Sequence, residues 1–256
     1  MSCQEKPIII IVHGAWHQPL HYANLLNSLQ TKGYTVQVPA LATAGWDQSV
    51  SQKNVSDDVT ILKNTMKEYL QAGKELVVVC HSFGGISGTA SVVGETVPER
   101  QARGDAGGVK AVVFLAAFAP PSAGLSLVDI IGIKDESQQP DWWTPTNGLS
   151  LLEPKASDLL YSGLDDEIAR VNFHATAPQS LQSFQSKSIN ASSDIAVPKT
   201  YVVTQKDAII PSEGQKAMAN AAGANVIELA YGHSPFLSAE GASSILNIIE
   251  QASVSE

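Results

Sequence analysis

The stretch Val77-Val78-Val79-Cys80-His81-Ser82-Phe83-Gly84-Gly85 carries an apolar run into small and polar residues and offers two nucleophiles, the Cys80 thiol and the Ser82 hydroxyl. A buried strand that enters a helix through a sharp turn holds its apex residue in a strained conformation. Crowding there demands small residues two positions to either side, a pattern usually met as Gly-x-Ser-x-Gly. The flanking positions here are Cys80 and Gly84, so the turn is credible although the first glycine is missing. Cys80 is then the last strand residue, packed as a small hydrophobe. Ser82 is the apex, with its hydroxyl at the head of a helix. The sequence therefore favours Ser82 as nucleophile over Cys80, the plain alternative being a strand-to-helix turn with an incidental serine.

A serine hydroxyl needs a base within hydrogen-bond reach, and the base needs an orienting acid. In a strand–turn–helix site of this kind the chain order is Ser, acid, His. Of six histidines only His233 lies late, in Tyr231-Gly232-His233-Ser234-Pro235-Phe236, between an expected strand and the last helix. Asp207 follows the strand-like run Tyr201–Thr204 and is the best-placed acid; the plainer role for it is a turn cap. Three such residues at strand exits in the right order are far less expected by chance than any one alone. The oxyanion formed on attack needs preorganised donors. The backbone N–H groups of Phe83, at a helix start, and of Ala15, in the loop His13-Gly14-Ala15-Trp16, suit that role. Gly14 allows the loop to turn close to the site, and His13 reads as a brace for that loop. His13, His17 and His21 recur every four residues, but they fall on a strand end, a loop and a helix start with Pro19 among them, so no metal site is expected.

These residues need a scaffold to hold them. Four continuous apolar runs, Ile8–His13, Leu76–His81, Val109–Ala116 and Thr200–Thr204, read as strands buried on both faces, as in a parallel sheet. Tyr34–Val38 and Val226–Ala230 are weaker strands. Helical patterns lie between them at Leu20–Thr31, Val55–Gln71, Ser212–Ala222 and Ala239–Ser253. The alternation predicts an α/β architecture with helices on both faces of a mainly parallel sheet of about six strands. Residues 120–195 break the rhythm with several prolines and no convincing strand. They read as a mostly helical cap inserted after the fourth strand, with short helices near Lys155–Tyr161 and Asp165–Phe173. The core is then residues 1–119 and 196–256.

The 256 residues, 44% hydrophobic and 16% charged, suffice for one large buried core. A net charge of −9 argues against a nucleic-acid partner. Cys3 and Cys80 cannot form a disulfide framework. The N-terminus lacks the long apolar core of a signal peptide, and no stretch approaches a membrane span. The expectation is a soluble cytoplasmic protein, in which the sequons at Asn54 and Asn190 are ordinary positions.

On "VHGAW" at 12–16, "CHSFGG" at 80–85, "TQKDAIIP" at 204–211 and "GHSPFLS" at 232–238, the chain resembles the α/β-hydrolase superfamily along essentially its whole length. Within it the chain resembles the compact branch of plant methyl esterases and hydroxynitrile lyases, with similar bacterial and fungal esterases, which begin directly with the strand leading to His-Gly. Two departures stand out. Cys80 replaces the elbow glycine, and Ser234 stands where lyases of the branch often carry a cyanide-holding lysine. The resemblance implies an α/β-hydrolase fold and an ester-cleaving triad of Ser82, His233 and Asp207, with no metal or organic cofactor. Trp16, Phe83, Phe118, Trp142, Trp143, Leu125, Leu127 and Phe173 could form apolar pocket walls, with His174 as a polar contact. Such walls suit a small, largely apolar ester or lactone. Lyase or cyclase chemistry on the same residues, and a non-catalytic ligand-binding module, are the alternatives. Exposed apolar cap surface leaves a homodimer open.

Overall fold

The computed structural model describes residues 5–135 and 138–254. Cys3 lies outside the described residues. In chain order the strands are β1 (Ile8–Val12), β2 (Val36–Gln37), β3 (Glu75–His81), β4 (Gly108–Leu115), β5 (Trp143–Thr146), β6 (Leu149–Leu152), β7 (Gln179–Ser180), β8 (Lys199–Thr204) and β9 (Asn225–Leu229). The helices are α1 (Ala23–Thr31), α2 (Val55–Gln71), α3 (Gly84–Val92), α4 (Val97–Ala102), α5 (Leu127–Ile130), α6 (Ala156–Leu160), α7 (Asp166–His174), α8 (Leu181–Gln185), α9 (Ser212–Ala222) and α10 (Ala239–Val254).

One six-stranded sheet runs in the order β2-β1-β3-β4-β8-β9, and every neighbouring pair is parallel. Side-chain parity explains the continuous apolar runs. Ile8, Ile10 and Val12 of β1 enter one hydrophobic cluster, while Ile9 and Ile11 enter the other. In β3, Leu76, Val78 and Cys80 oppose Val77 and Val79 in the same way. Helices α2 and α9 cover the first face through Leu62, Met66, Leu70 and Met218. Helices α1 and α10 cover the second through Leu25, Leu29, Ile245 and Ile249. The 17-residue α2 is fixed at its start by a reciprocal cap: Asn54 Oδ1 accepts the Ser56 N–H at 2.8 Å and Asp57 Oδ2 accepts the Asn54 N–H at 2.9 Å. Such a cap contributes about 1 kcal/mol.

Between β4 and β8 the chain leaves the sheet for the insertion. It holds the short helices α5 to α8, with α6 and α7 close to where the sequence places them. The expectation that it holds no strand fails, because β5, β6 and β7 form a small antiparallel sheet. Its hairpin turns through Asn147 and Gly148, both at positive φ (50° and 80°), the conformation that an Asn-Gly pair adopts at least cost. Pro145 is tolerated because β5 is an edge strand. Strand β7 also reaches back to the core: the Ser180 N–H donates to the Thr43 carbonyl at 2.8 Å, and the Gly45 N–H donates to the Pro178 carbonyl at 3.0 Å. Buried Asp58 on α2 holds the same loop, accepting the Thr43 N–H at 3.0 Å and its hydroxyl at 2.7 Å.

Candidate active site

The C-terminal ends of β1, β3, β8 and β9 open on one edge of the sheet, where parallel α/β folds build their sites. Ser82 lies between β3 and α3 at φ +52°, a left-handed conformation that costs a non-glycine residue roughly 1–3 kcal/mol. Neighbouring backbone holds it there. Its N–H donates to the Leu115 carbonyl at 3.2 Å, and its carbonyl accepts the N–H groups of Gly85 and Phe118, each at 3.0 Å. Gly14 makes room opposite, since a Cβ on it would stand 2.9 Å from the Ser82 Cβ.

His233 is reached by the loop after β9, and Asp207 by the loop after β8; both side chains are buried. The His233 Nδ1–H donates to Asp207 Oδ2 at 2.8 Å, which leaves Nε2 to accept the Ser82 hydroxyl at 2.9 Å. The other Asp207 oxygen accepts the N–H groups of Ile209 (2.8 Å) and Ile210 (2.9 Å). Thr204 Oγ1 and Gln215 Nε2 add donors to Oδ2 at 3.0 and 3.1 Å. Burial pushes the Asp207 carboxyl up, but adjacent His233 and these backbone donors outweigh it and hold the pKa below the ordinary carboxylate value. The group therefore stays an anion at neutral pH.

Cys80 sits elsewhere. Its sulfur packs against Gly88 of α3, in space that a Cβ at position 88 would occupy. Burial raises its thiol pKa far above the ordinary range, so no reactive thiolate forms. Gly88 is what lets a cysteine stand in place of the elbow glycine.

The N–H groups of Ala15 and Phe83 have no hydrogen-bond partner among the described residues, whereas those of Gly14, Trp16 and Ser82 are engaged. The Trp16 N–H donates to the side-chain oxygen of buried Gln179 at 3.2 Å, and Gln179 Nε2 donates to Ser183 Oγ at 2.9 Å. Trp16, at φ +61°, also donates its indole N–H to the Ser150 carbonyl at 3.2 Å. The small sheet of the insertion thus fastens the loop after β1. Sequence reading missed Gln179, because a lone glutamine in an irregular region carries no signal.

A buried polar chain joins the loops. The Gly14 N–H donates to Tyr22 Oη at 3.0 Å; the Tyr22 O–H meets His81 Nδ1 at 2.7 Å; and the His81 Nε2–H donates to the His233 carbonyl at 3.0 Å. Burial, chiefly, and the proximity of His233 depress the His81 pKa well below the imidazole value, so the ring is neutral, as this bonding pattern requires. His13 is likewise neutral, its pKa lowered by burial to about 4; it accepts the Leu41 N–H at 3.0 Å and braces the loop after β1.

A cavity of about 200 Å³ opens over Ser82 and His233. Trp16, Phe83, Phe118, Leu127, Trp142 and Trp143 line it, as do Ala15 and, unmarked by the sequence, Phe184 and Ile209. Phe184 lies 5.3 Å, centroid to centroid, from both Trp16 and Phe83 and 5.7 Å from Trp143. Among the described lining residues, Gln138 is the only side chain with an amide or hydroxyl apart from Ser82 and His233, and none carries a carboxylate, ammonium or guanidinium. His174 does not line the cavity. It is exposed at the end of α7, a helix with no buried residue, and Phe173 packs partly buried against the second hydrophobic cluster and does not line the cavity. Leu125 lines a neighbouring groove instead. No helix among the described residues is long and apolar enough to cross a membrane.

A family model described as "Alpha/beta hydrolase family" matches residues 9–242. The chain is 26% identical over 239 residues to the alpha/beta hydrolase nvfD of Aspergillus novofumigatus, covering 91% of this chain and 92% of that protein. It is 25% identical over 242 residues to probable hydrolase R7 of a Phoma species, covering 90% and 92%. Among solved structures, polyneuridine aldehyde esterase superposes with a TM-score of 0.76 at 21% identity, over 96% of this chain and 100% of that one, a likeness of fold.

Proposed function

The chain belongs to the alpha/beta hydrolase family, and from that premise we propose that it is a serine hydrolase cleaving a carboxylic ester or lactone of a small, uncharged, largely apolar substrate through an acyl-enzyme. The observation that carries the reading is the unbroken line of contacts from Ser82 Oγ through His233 to Asp207, at 2.9 and 2.8 Å. His233 Nε2 takes the hydroxyl proton as Ser82 Oγ attacks the carbonyl carbon. The tetrahedral oxyanion is held by the free N–H groups of Ala15 and Phe83. The C–O bond of the leaving alcohol breaks, and His233 returns the proton to it. Water, deprotonated by His233, then attacks the acyl-serine and releases the acid with Ser82 restored. Asp207 keeps the imidazole in the required tautomer and stabilises its charged form. The apolar lining favours an uncharged substrate, because a free carboxylate would lose its hydration there without gaining a counter-charge. Residues 120–195 act in this reading as the lid over that cavity.

The test is hydrolysis of p-nitrophenyl esters from acetate to octanoate. Activity lost at least 1000-fold in Ser82→Ala and kept within about threefold in Cys80→Ser supports the proposal. A folded wild type that cleaves none of them, or a Ser82→Ala variant that retains the rate, refutes it.

A further inference from the structure

Next to the catalytic cavity lies a second space that the reaction described above does not use. It is a groove of about 540 Å³ between α5 and the first turns of α9. We propose that this groove is a second substrate subsite, and that it takes the alkyl tail of an elongated, uncharged ester whose carbonyl lies at Ser82. The proposal rests on the serine-hydrolase reading and names the shape of the substrate that the reading leaves open.

Size is the first argument. The catalytic cavity, at about 200 Å³, is smaller than the roughly 300–1,000 Å³ of ordinary ligand pockets, so a substrate of ordinary size must extend out of it. Continuity is the second. Phe118, Ile131 and Ile209 line both spaces. Ile131, just past the end of α5, is 42% exposed. Side chains therefore separate the two spaces at their common wall, and a chain of methylene groups can pass by displacing them.

Lining chemistry is the third argument, and it selects the occupant. Leu125, Ile130, Pro211 and Met218 continue the apolar surface beyond the shared wall. The one carboxylate among the groove's described lining residues, Asp129, is taken up at the rim by Lys187 and Ser126. A charged or strongly polar arm finds no counterpart here, whereas an alkyl chain buries its surface. The cavity on the other side of Trp143 is larger, about 760 Å³, and shares Val128, Ile133, Pro140, Trp143 and Phe184 with the catalytic cavity, but six of its described lining side chains are charged, amide or hydroxyl groups, against Asp129 alone in the groove, so an apolar tail is better placed toward α9.

Two ester series test the proposal and identify the arm that carries the tail: p-nitrophenyl alkanoates, with the chain on the acyl side, and alkyl acetates, with the chain on the alcohol side. Each methylene lodged in the groove raises kcat/KM about threefold to fourfold. One series is expected to climb at least 30-fold between two and eight carbons. Gly214→Phe places a ring in the groove from the solvent side, since a Cβ at Gly214 meets no heavy atom within 4 Å. Ala217→Trp does the same one helical turn on. Either variant is expected to cut the eight-carbon to two-carbon ratio at least tenfold. A flat profile in both series, or a ratio unchanged in both variants, overturns the subsite. Binding of 1-decanol to Ser82→Ala, followed by calorimetry, reads the groove without chemistry. Saturable binding weakened at least tenfold by Gly214→Phe supports the subsite even if no ester is cleaved, and its absence overturns the subsite. Failure of the subsite is thereby separated from failure of the hydrolase reading.

Discussion

Replacing Tyr22 by Phe takes one oxygen from the chain that joins the candidate site's loops. The ring's packing survives, because Tyr22 is buried and stacks on Phe236 at 4.3 Å with 14° between the planes, contacts that a phenylalanine keeps. What disappears are the hydrogen bonds to the Gly14 N–H at 3.0 Å and to His81 Nδ1 at 2.7 Å. Both partners then stand buried and unsatisfied. Each such group costs about 1–3 kcal/mol, so the variant should lose roughly 2–6 kcal/mol of unfolding free energy. Urea denaturation of the two proteins at pH 7 reads this directly. Gly14 precedes Ala15, the oxyanion donor of the proposed reaction, and His81 precedes Ser82, so the loosened loops would hold those groups less accurately. We expect kcat to fall about tenfold while KM stays within about twofold, since the loss falls on the transition state. A stability change below about 0.5 kcal/mol with an unaltered kcat would refute the reasoning, because it would mean that water or rearrangement satisfies both groups at no cost.

Two further outcomes follow from the same geometry. Gln179→Leu removes the acceptor that holds the Trp16 N–H at 3.2 Å, so kcat should drop about tenfold with little change in KM, as steady-state kinetics on one ester will show. Asp58 gives a pH effect. Burial, chiefly, raises its pKa to about 7, against the pull of the Thr43 hydroxyl and N–H donors. The folded value lies above the unfolded value of about 4, so folding takes up a proton between them. The stability tied to this group is complete below about pH 4 and is lost as pH rises through about 7. Asp58→Asn does not titrate, so urea melts should show it gaining on the wild type from pH 5 to 7 and holding a constant difference above pH 8. A difference independent of pH would remove the inference.

The sheet was legible because burial on both faces leaves a mark in the chain: alternate residues of β1 and β3 feed opposite clusters, and from Ile8 and from Leu76 onward neither strand carries a charged residue before its exit. Helices α2 and α9 were legible from their apolar stripes, which place them at the residues observed. The hairpin β5–β6 was not. Its strands are four residues long, one contains Pro145, and the Asn147-Gly148 signal stands among prolines that speak for loop. At the site, Ser82, Asp207 and His233 could be nominated because each lies just past a strand in the order the chemistry needs, and the fold brings them within hydrogen-bond reach. Gln179, Phe184 and Tyr22 could not. Each is an ordinary residue made special by a contact across more than fifty positions, which neither spacing nor periodicity encodes. His174 was misplaced for the converse reason: its residue type invites a polar contact, but α7 turns its last residue to solvent.

The most direct test of the central claim is to treat the folded protein with a fluorophosphonate and locate the adduct by peptide mass spectrometry. The account predicts one adduct, on Ser82, formed rapidly in the wild type and slowed at least 100-fold in His233→Ala, with Cys80 unmodified. No adduct on a folded protein, or an adduct on Ser82 formed as fast without His233, would contradict it.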